Sequence, residues 1–154
     1  MCGGIRFEID GITEEEFLKF FLPDELAAFQ RMGFVESLFW SRRPLLPVKT
    51  SIKAGAIHLL DWGNRDKDID LPQTGWTKWE SFEKGKWNHL NPKKILIPAI
   101  QGCEKKKWFD IDNPIAGIVV EKCGVKHAYM ITEPASEEYE EFTGHERMPK
   151  FIGS

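Results

Sequence analysis

Apolar residues near the start of the chain recur with the spacing of an amphipathic helix. Thr13 is followed three residues later by Glu16, which is the arrangement of a capping box at a helix start. Phe17, Phe20 and Phe21 then supply an apolar stripe. The pattern therefore predicts a short helix with Thr13 as its N-cap.

A second helix is predicted directly after the first. Pro23 suits the first turn of a helix, and Leu26, Phe29 and Met32 lie on one face of it. Gly33 suits the C-terminal stop, because glycine readily accepts the left-handed conformation found there. The two segments together predict an αα-hairpin.

Beyond residue 33 the chain changes to short segments rich in β-branched and aromatic residues, which are typical of strands. The predicted strands are residues 34–40, 54–62, 95–100, 108–111, 115–121 and 127–132. Gly124 indicates a hairpin turn over residues 122–125. The middle of the chain is therefore expected to be mostly β.

Two further segments differ from this β pattern. Residues 134–142 are acidic and predict a short helix that Gly144 closes. Residues 63–91 are polar and rich in tryptophan and turn residues, so we expect a long irregular excursion across the surface.

The composition fits a single domain spanning residues 1–154, since 42% apolar and 12% aromatic residues suffice for one core. The longest apolar runs, 95–100 and 116–120, are too short to cross a bilayer, and the first residues lack the form of a signal peptide. We therefore expect no membrane association and a monomer in the cytoplasm, associated with the nucleoid when bound to DNA. The net charge of -3 argues mildly against a general nucleic-acid binder, so any DNA contact must use a local basic patch.

The cysteines give no sign of a disulfide framework or a zinc site, because their count is odd and CxxC spacing is lacking. They are Cys2, Cys103 and Cys123. Three histidines, His58, His89 and His127, also lack the spacing of metal ligands. We expect free thiols, no metal and no cofactor, with Cys103 and Cys123 as small buried apolar residues.

Cys2 is the residue with distinctive chemistry. A methionine before a small residue is normally removed, so Cys2 would become an N-terminal 1,2-aminothiol. Reference pKa values of about 7.7–8.0 for the amine and about 8.5 for the thiol make both nucleophiles available at neutral pH. The amine condenses with an aldehyde to an imine, and the thiol closes a five-membered thiazolidine. The opened sugar of an abasic site in DNA is such an aldehyde.

Five segments carry a family resemblance. They are Met1-Cys2-Gly3, Asp61-Trp62-Gly63, Lys78-Trp79-Glu80, Ile95-Leu96-Ile97-Pro98-Ala99 followed by Glu104, and Ile131-Thr132 with Ala135 and His145-Glu146-Arg147-Met148-Pro149. In this order they resemble the SRAP (SOS-response-associated peptidase) family from residue 1 to about 149. The resemblance implies an α+β fold with a β-rich core of barrel-like antiparallel sheets, a few short helices, and a positively charged groove leading to the cysteine.

The resemblance also implies roles for individual residues. Cys2 would be the nucleophile, Glu104 would manage protons during imine formation, and His145 would open the sugar. Trp62 and Gly63 would lie where bases are wedged or stacked. The DNA phosphates would be held by basic residues, namely Arg42, Arg43, Lys78 and Arg147, the last of which would alternatively brace His145. The implied partner is single-stranded DNA with an abasic site.

The chain departs from the family pattern at three places. Gly4 stands where members commonly have arginine, and residues 41–44 replace an Asn-x-x-Pro element. Trp76 occupies the position of an asparagine that places its amide beside the cysteine. Asn64 or Asn88 are candidates to replace that amide in space.

Ordinary roles also fit several of these residues. Glu104 precedes three lysines, so it suits a solvated charged turn. His145 suits capping of exposed carbonyls after a helix. Four tryptophans suit a buried core, and they are Trp62, Trp76, Trp79 and Trp87.

Two other functions stay open beside crosslinking of abasic DNA. A thiol autopeptidase or hydrolase would use the same cysteine, glutamate and histidine on a peptide or amide through an acyl-enzyme. A noncatalytic single-strand binding module would have lost the chemistry together with the missing amide.

Overall fold

The structure is a computed structural model that describes residues 2–53 and 55–153. The strands in chain order are β1 (Gly4–Glu8), β2 (Phe34–Leu38), β3 (Leu45–Val48), β4 (His58–Trp62), β5 (Trp76–Lys78), β6 (Lys93–Ile97), β7 (Gln101–Glu104), β8 (Lys107–Asp110), β9 (Ile115–Lys122), β10 (Val125–Pro134) and β11 (Arg147–Pro149). The helices are α1 (Glu14–Leu18), α2 (Pro23–Met32), α3 (Trp79–Glu83) and α4 (Glu137–Thr143), with a 3-10 turn at Asn88–Leu90. The predicted α+β fold with a β-rich core and a few short helices is confirmed.

The strands form two sheets. The smaller has the order β2-β1-β7-β8 and is antiparallel throughout. The larger has the order β3-β4-β10-β9-β6, and β5 and β11 also pair with β10. It curls so far that Lys49, just after β3, exchanges two hydrogen bonds of 2.8 Å with Leu96 of β6. The large sheet departs from the expected antiparallel arrangement at one strand, because β10 runs parallel to both β4 and β5.

The αα-hairpin is confirmed. The Thr13 side chain accepts a hydrogen bond of 3.1 Å from the Glu16 amide, so it caps α1 as predicted. The aromatic stripe packs the hairpin, with the rings of Phe17, Phe21 and Phe29 in mutual contact. Gly33 ends α2 in the left-handed conformation at φ 85°.

The turn at residues 122–125 is also confirmed. Cys123 and Gly124 join β9 to β10 with φ values of 52° and 78°. Two successive residues with positive φ are typical of the tight turns whose twist matches a β-hairpin. Cys123 is exposed there, so its expected burial is wrong, whereas Cys103 is buried as predicted.

Residues 63–91 are more ordered than predicted. They contain β5, α3 and the 3-10 turn, and β5 extends the large sheet beside β10. A three-residue strand and a five-residue helix are too short to show a period in the sequence. The acidic helix begins later than predicted, because β10 continues to Pro134 and Ser136 caps α4. The strand prediction also omitted β1, β3, β7 and β11, and its residue 54 lies outside the described residues.

Among the helices of residues 2–53 and 55–153, none has the length and apolar character to cross a membrane. The apolar side chains instead fill two clusters inside the sheets. Cys2 belongs to the larger cluster, together with Ile5 and Phe7 of β1. The start of the chain is thus part of the core.

Candidate functional site

Cys2 lies two residues before the start of β1 and is fully buried. Its thiol donates a hydrogen bond of 3.1 Å to the Gly4 carbonyl oxygen. Strand β7 runs alongside, and a Cβ atom built on Gly102 would lie 3.1 Å from the Cys2 Sγ. The absence of a side chain at position 102 therefore leaves the space that the sulfur occupies.

The surroundings of Cys2 keep its thiol protonated. Burial raises the pKa of Cys2 to about 12, and the charge of Glu104 acts in the same direction, against an opposing contribution from backbone hydrogen bonds. The thiolate fraction at neutral pH is thus far smaller than the fraction that an ordinary thiol pKa would give. The sulfur becomes a thiolate only when a nearby group accepts its proton.

Glu104 is a buried carboxyl group close enough to Cys2 for its charge to act on the thiol. It ends β7, is 4% exposed, and its Oε1 accepts a hydrogen bond of 3.1 Å from the Tyr139 hydroxyl. The interpretation of Glu104 as a solvated turn is wrong, because the turn begins one residue later. Lys105 and Lys106 form it, with φ values of 50° and 69°, and both are exposed.

Tyr139 is a site residue that the sequence reasoning missed. It lies on α4, is 9% exposed, and reaches across to Glu104. Burial raises the pKa of Tyr139, and the proximity of Cys2 and Glu104 raises it further, so the phenol stays protonated. Its only sequence signal was its place three residues after Ser136, the residue that caps α4.

His145 lies beside the hairpin that carries Glu104. Lys105 Nζ donates 2.9 Å to the carbonyl of Gly144, the residue before His145. The ring Nδ1 of His145 accepts a hydrogen bond of 3.0 Å from the Arg147 amide, which leaves the proton of the neutral ring on Nε2. Capping of the carbonyls at the end of α4, the ordinary role considered for His145, is carried out by lysines. Besides Lys105, Lys107 Nζ donates a hydrogen bond of 2.9 Å to the Phe142 carbonyl.

Arg147 joins two of the segments that resemble the family. Its guanidinium donates to both carboxylate oxygens of Glu80, at 2.9 and 3.4 Å, and to the Thr132 carbonyl at 2.9 Å. The Arg147 hydrogen bond lowers the pKa of Glu80. Arg147 is thus committed within the protein, which favours a bracing role over the expected phosphate contact.

Trp76 stands where the resemblance predicts an asparagine, and it contacts Cys2. Its indole Nε1 donates a hydrogen bond of 2.9 Å to the Cys2 carbonyl oxygen. The two candidate substitutes are used elsewhere. Asn64 donates to the carbonyls of its own loop, including Leu71 at 3.2 Å, and Asn88 is exposed in the 3-10 turn beside Gly85.

Trp62 and Gly63 serve the core and not the surface. Trp62 is 1% exposed, donates 3.1 Å to the Gly75 carbonyl, and packs against Phe39 and Trp76. A ring buried in this way has no free face for a base, so the expectation of stacking at Trp62 is wrong in this conformation. Gly63 follows it at φ 61°, where the chain passes close to Gly75.

The exposed aromatic side chain next to Cys2 is Trp40, which the sequence reasoning did not single out. Trp40 is 62% exposed, and its ring lies over Gly3, within 2.8 Å of where a Cβ of Gly3 would be. Its signal was only its position two residues before Arg42. Arg42 and Arg43 are both exposed, and Arg43 pairs with Asp61 at 3.1 Å.

The predicted site residues thus do not form a single cluster. Trp62 lies in the core with Gly63 beside it, and His145 and Arg147 lie together after α4. Cys2 and Glu104 come together with Tyr139, whereas Arg42, Arg43 and the exposed Lys78 lie on the surface. The predicted removal of Met1 concerns a residue that lies outside the described residues. Comparisons of the chain with family models, with characterised proteins and with solved structures found no match.

Proposed function

We propose that this chain has the SRAP fold, binds single-stranded DNA at abasic sites and bonds Cys2 to C1' of the opened sugar. The observation that carries the proposal is the buried cluster of Cys2, Glu104 and Tyr139. A thiol, a carboxyl group and a phenol from three separate parts of the chain meet at the residue that would carry a free amine.

The proposed reaction uses each of these groups. Once Met1 is removed, the Cys2 amine attacks the aldehyde carbon and water leaves, which gives an imine. The thiol then adds to the imine carbon, so that a C–S bond forms and the thiol proton passes by way of Glu104 to the imine nitrogen. The sum is amine plus thiol plus aldehyde giving thiazolidine and water. Tyr139 orients Glu104 through its hydrogen bond of 3.1 Å.

The protonated thiol favours this order over a hydrolase. Acyl transfer to a cysteine needs a thiolate as the attacking group. A sulfur whose pKa is raised to about 12 by burial supplies very little thiolate at neutral pH. Closure of a ring onto an imine already attached to the same residue has the advantage of proximity, so a weaker nucleophile suffices.

The decisive experiment uses an oligonucleotide treated with uracil glycosylase to create an abasic site. We expect a denaturant-resistant adduct with the native chain and none with Cys2→Ala. Cys103→Ala is the matched control, because it removes a neighbouring buried thiol and should retain the adduct. Equal adduct in native protein and Cys2→Ala would refute the proposal, and tight binding without any adduct would point to a noncatalytic binding module.

Trp40 is proposed as the surface on which a base beside the lesion stacks. Stacking of a base on an aromatic side chain contributes about 1–3 kcal/mol, so Trp40→Ala should weaken binding of undamaged single strands by roughly tenfold. Leu22→Ala is the control, because Leu22 is also highly exposed, at 68%, and lies at the start of α2. Fluorescence anisotropy measures both, and equal affinity of the two variants would exclude Trp40 as the platform.

A further inference from the structure

Helix α4 lacks the charges that would stabilise its own C-terminal end. Its first turn contains Glu137, Glu138 and Glu140, and its last turn contains no basic residue. The C-terminal end of a helix carries a partial negative charge, so cations stabilise it. A helix of seven residues is also too short to be stable on its own. The position of α4 therefore depends on contacts with the rest of the protein.

The hairpin of β7 and β8 supplies the missing cations. Lys105 Nζ donates a hydrogen bond of 2.9 Å to the Gly144 carbonyl, and Lys107 Nζ donates one of 2.9 Å to the Phe142 carbonyl. Lys107 Nζ also lies 5.5 Å from the centre of the Phe142 ring. Two carbonyl groups at the end of α4 thus have ammonium partners from a separate element.

The turn of this hairpin has a conformation that is unfavourable for the residues in it. Lys105 and Lys106 have positive φ values of 50° and 69°. Tight turns of this kind favour glycine, asparagine or aspartate at such positions, because other side chains are strained there. The strained turn nevertheless brings the Lys105 ammonium to the end of α4. The Lys106 side chain is exposed and forms no hydrogen bond or ion pair with the residues that the structure describes.

Helix α4 carries Tyr139, the residue that contacts Glu104. The Tyr139 hydroxyl donates a hydrogen bond of 3.1 Å to Glu104 Oε1, and its ring meets the ring of Phe109 on β8 edge-on. Glu104 directly precedes Lys105, so one hairpin contains both the carboxyl group and the cations that contact the helix. A displacement of α4 by about 1 Å away from the hairpin would break the hydrogen bond to Glu104.

We infer that Lys105 and Lys107 are positioning residues, which hold α4 against the hairpin and thereby keep Tyr139 bonded to Glu104. The consequence for the reaction rests on the proposed function, in which the proton of the Cys2 thiol passes by way of Glu104. The docking of α4 does not rest on it, because the contacts that hold the helix are independent of any reaction. Both lysines act through the helix and not on the reacting atoms.

The first measurement follows the docking of α4 in the full chain without DNA. The pair Lys105→Met and Lys107→Met keeps two long side chains but removes both ammonium groups. Amide hydrogen exchange within α4 should become about tenfold faster, because loss of the two cations raises the fraction of opened helix. The matched control Lys106→Met, in the same turn, should leave the exchange unchanged. The pair Lys105→Arg and Lys107→Arg keeps both charges and should retain slow exchange.

The second measurement reports on the Tyr139 hydroxyl at neutral pH. The chain contains two tyrosines, so labelled tyrosine gives two carbon-13 NMR signals from the ring carbon that bears the hydroxyl. Loss of one signal in Tyr139→Phe assigns it. The Tyr139 signal should shift in the paired methionine variant and stay in place in Lys106→Met. The signal of Tyr129, whose hydroxyl donates to the Pro72 carbonyl at 3.0 Å, should be the same in both.

The third measurement is the rate of adduct formation with the abasic oligonucleotide. The paired methionine substitutions should slow it at least about threefold in the native background. They should have little further effect in the Tyr139→Phe background, because the lysines act only through that hydroxyl. Equal slowing in the two backgrounds would overturn the inference, as would unchanged exchange in α4 together with an unchanged Tyr139 signal. Absence of any adduct with the native chain would refute the proposed function, whereas exchange and NMR would still decide the docking of α4.

Discussion

Gly63→Ala is expected to lower the free energy of unfolding by about 3–5 kcal/mol. The residue has φ 61°, which disfavours any side chain, and a Cβ there would lie 2.6 Å from the Gly75 Cα and even closer to the Thr74 carbonyl. Both contacts are backbone, so neither can rotate away. Urea denaturation followed by far-UV circular dichroism measures the loss.

The control for this substitution is Gly124→Ala. Gly124 has φ 78°, yet the space around it is open to 4 Å. Only the conformational penalty of about 1–2 kcal/mol applies there. The difference between the two variants isolates the close approach at Gly63, and equal losses would show that the approach is looser than described.

Cys2 in the folded protein is expected to react with iodoacetamide at least about a thousandfold more slowly than the same cysteine in the urea-unfolded chain. Burial raises its pKa from 9.0 to about 12, and the raised value reduces the thiolate by that factor at neutral pH. Peptide-resolved mass spectrometry separates Cys2 from the exposed Cys123 in the same sample.

The pH dependence of the same reaction gives an independent check. A group whose folded pKa is raised stays protonated through the range in which the unfolded group ionises. Between pH 7 and 10 the rate at folded Cys2 should therefore rise about tenfold per pH unit, while the rate in the unfolded chain begins to flatten as the pH passes the unfolded pKa of 9.0. A plateau near that pH in the folded protein would show that Cys2 is not held in its protonated form.

The predicted helices and most strands came from patterns that the packing preserved. The spacing of Phe17, Phe21 and Phe29 predicted the helix pair, because their side chains pack together on one face of the hairpin. Strand β5 was not predicted, because three residues are too few to show the alternation of a strand. Its partner β10 also lies far along the chain. Short elements of this kind depend on tertiary pairing, which a local pattern does not contain.

The burial of the site residues also depends on tertiary packing, which the sequence pattern does not contain. The three lysines after Glu104 suit a charged turn. The burial of its side chain could not be predicted from them, because it depends on the residue that packs over the end of the strand, here Tyr139 of α4. The family resemblance favoured Trp62 for base stacking, and no sequence pattern indicated Trp40. Only the fold decides that Trp62 is buried and Trp40 is exposed.

The contact between Lys49 and Leu96 bears on how the molecule behaves at high concentration. Without it, β3 and β6 would both present unpaired amides and carbonyls at the margins of the large sheet. Such margins can recruit a strand from another copy and start aggregation. The two hydrogen bonds of 2.8 Å occupy the amide and carbonyl groups of Lys49 and Leu96, so a strand from another copy cannot pair without interruption along β6.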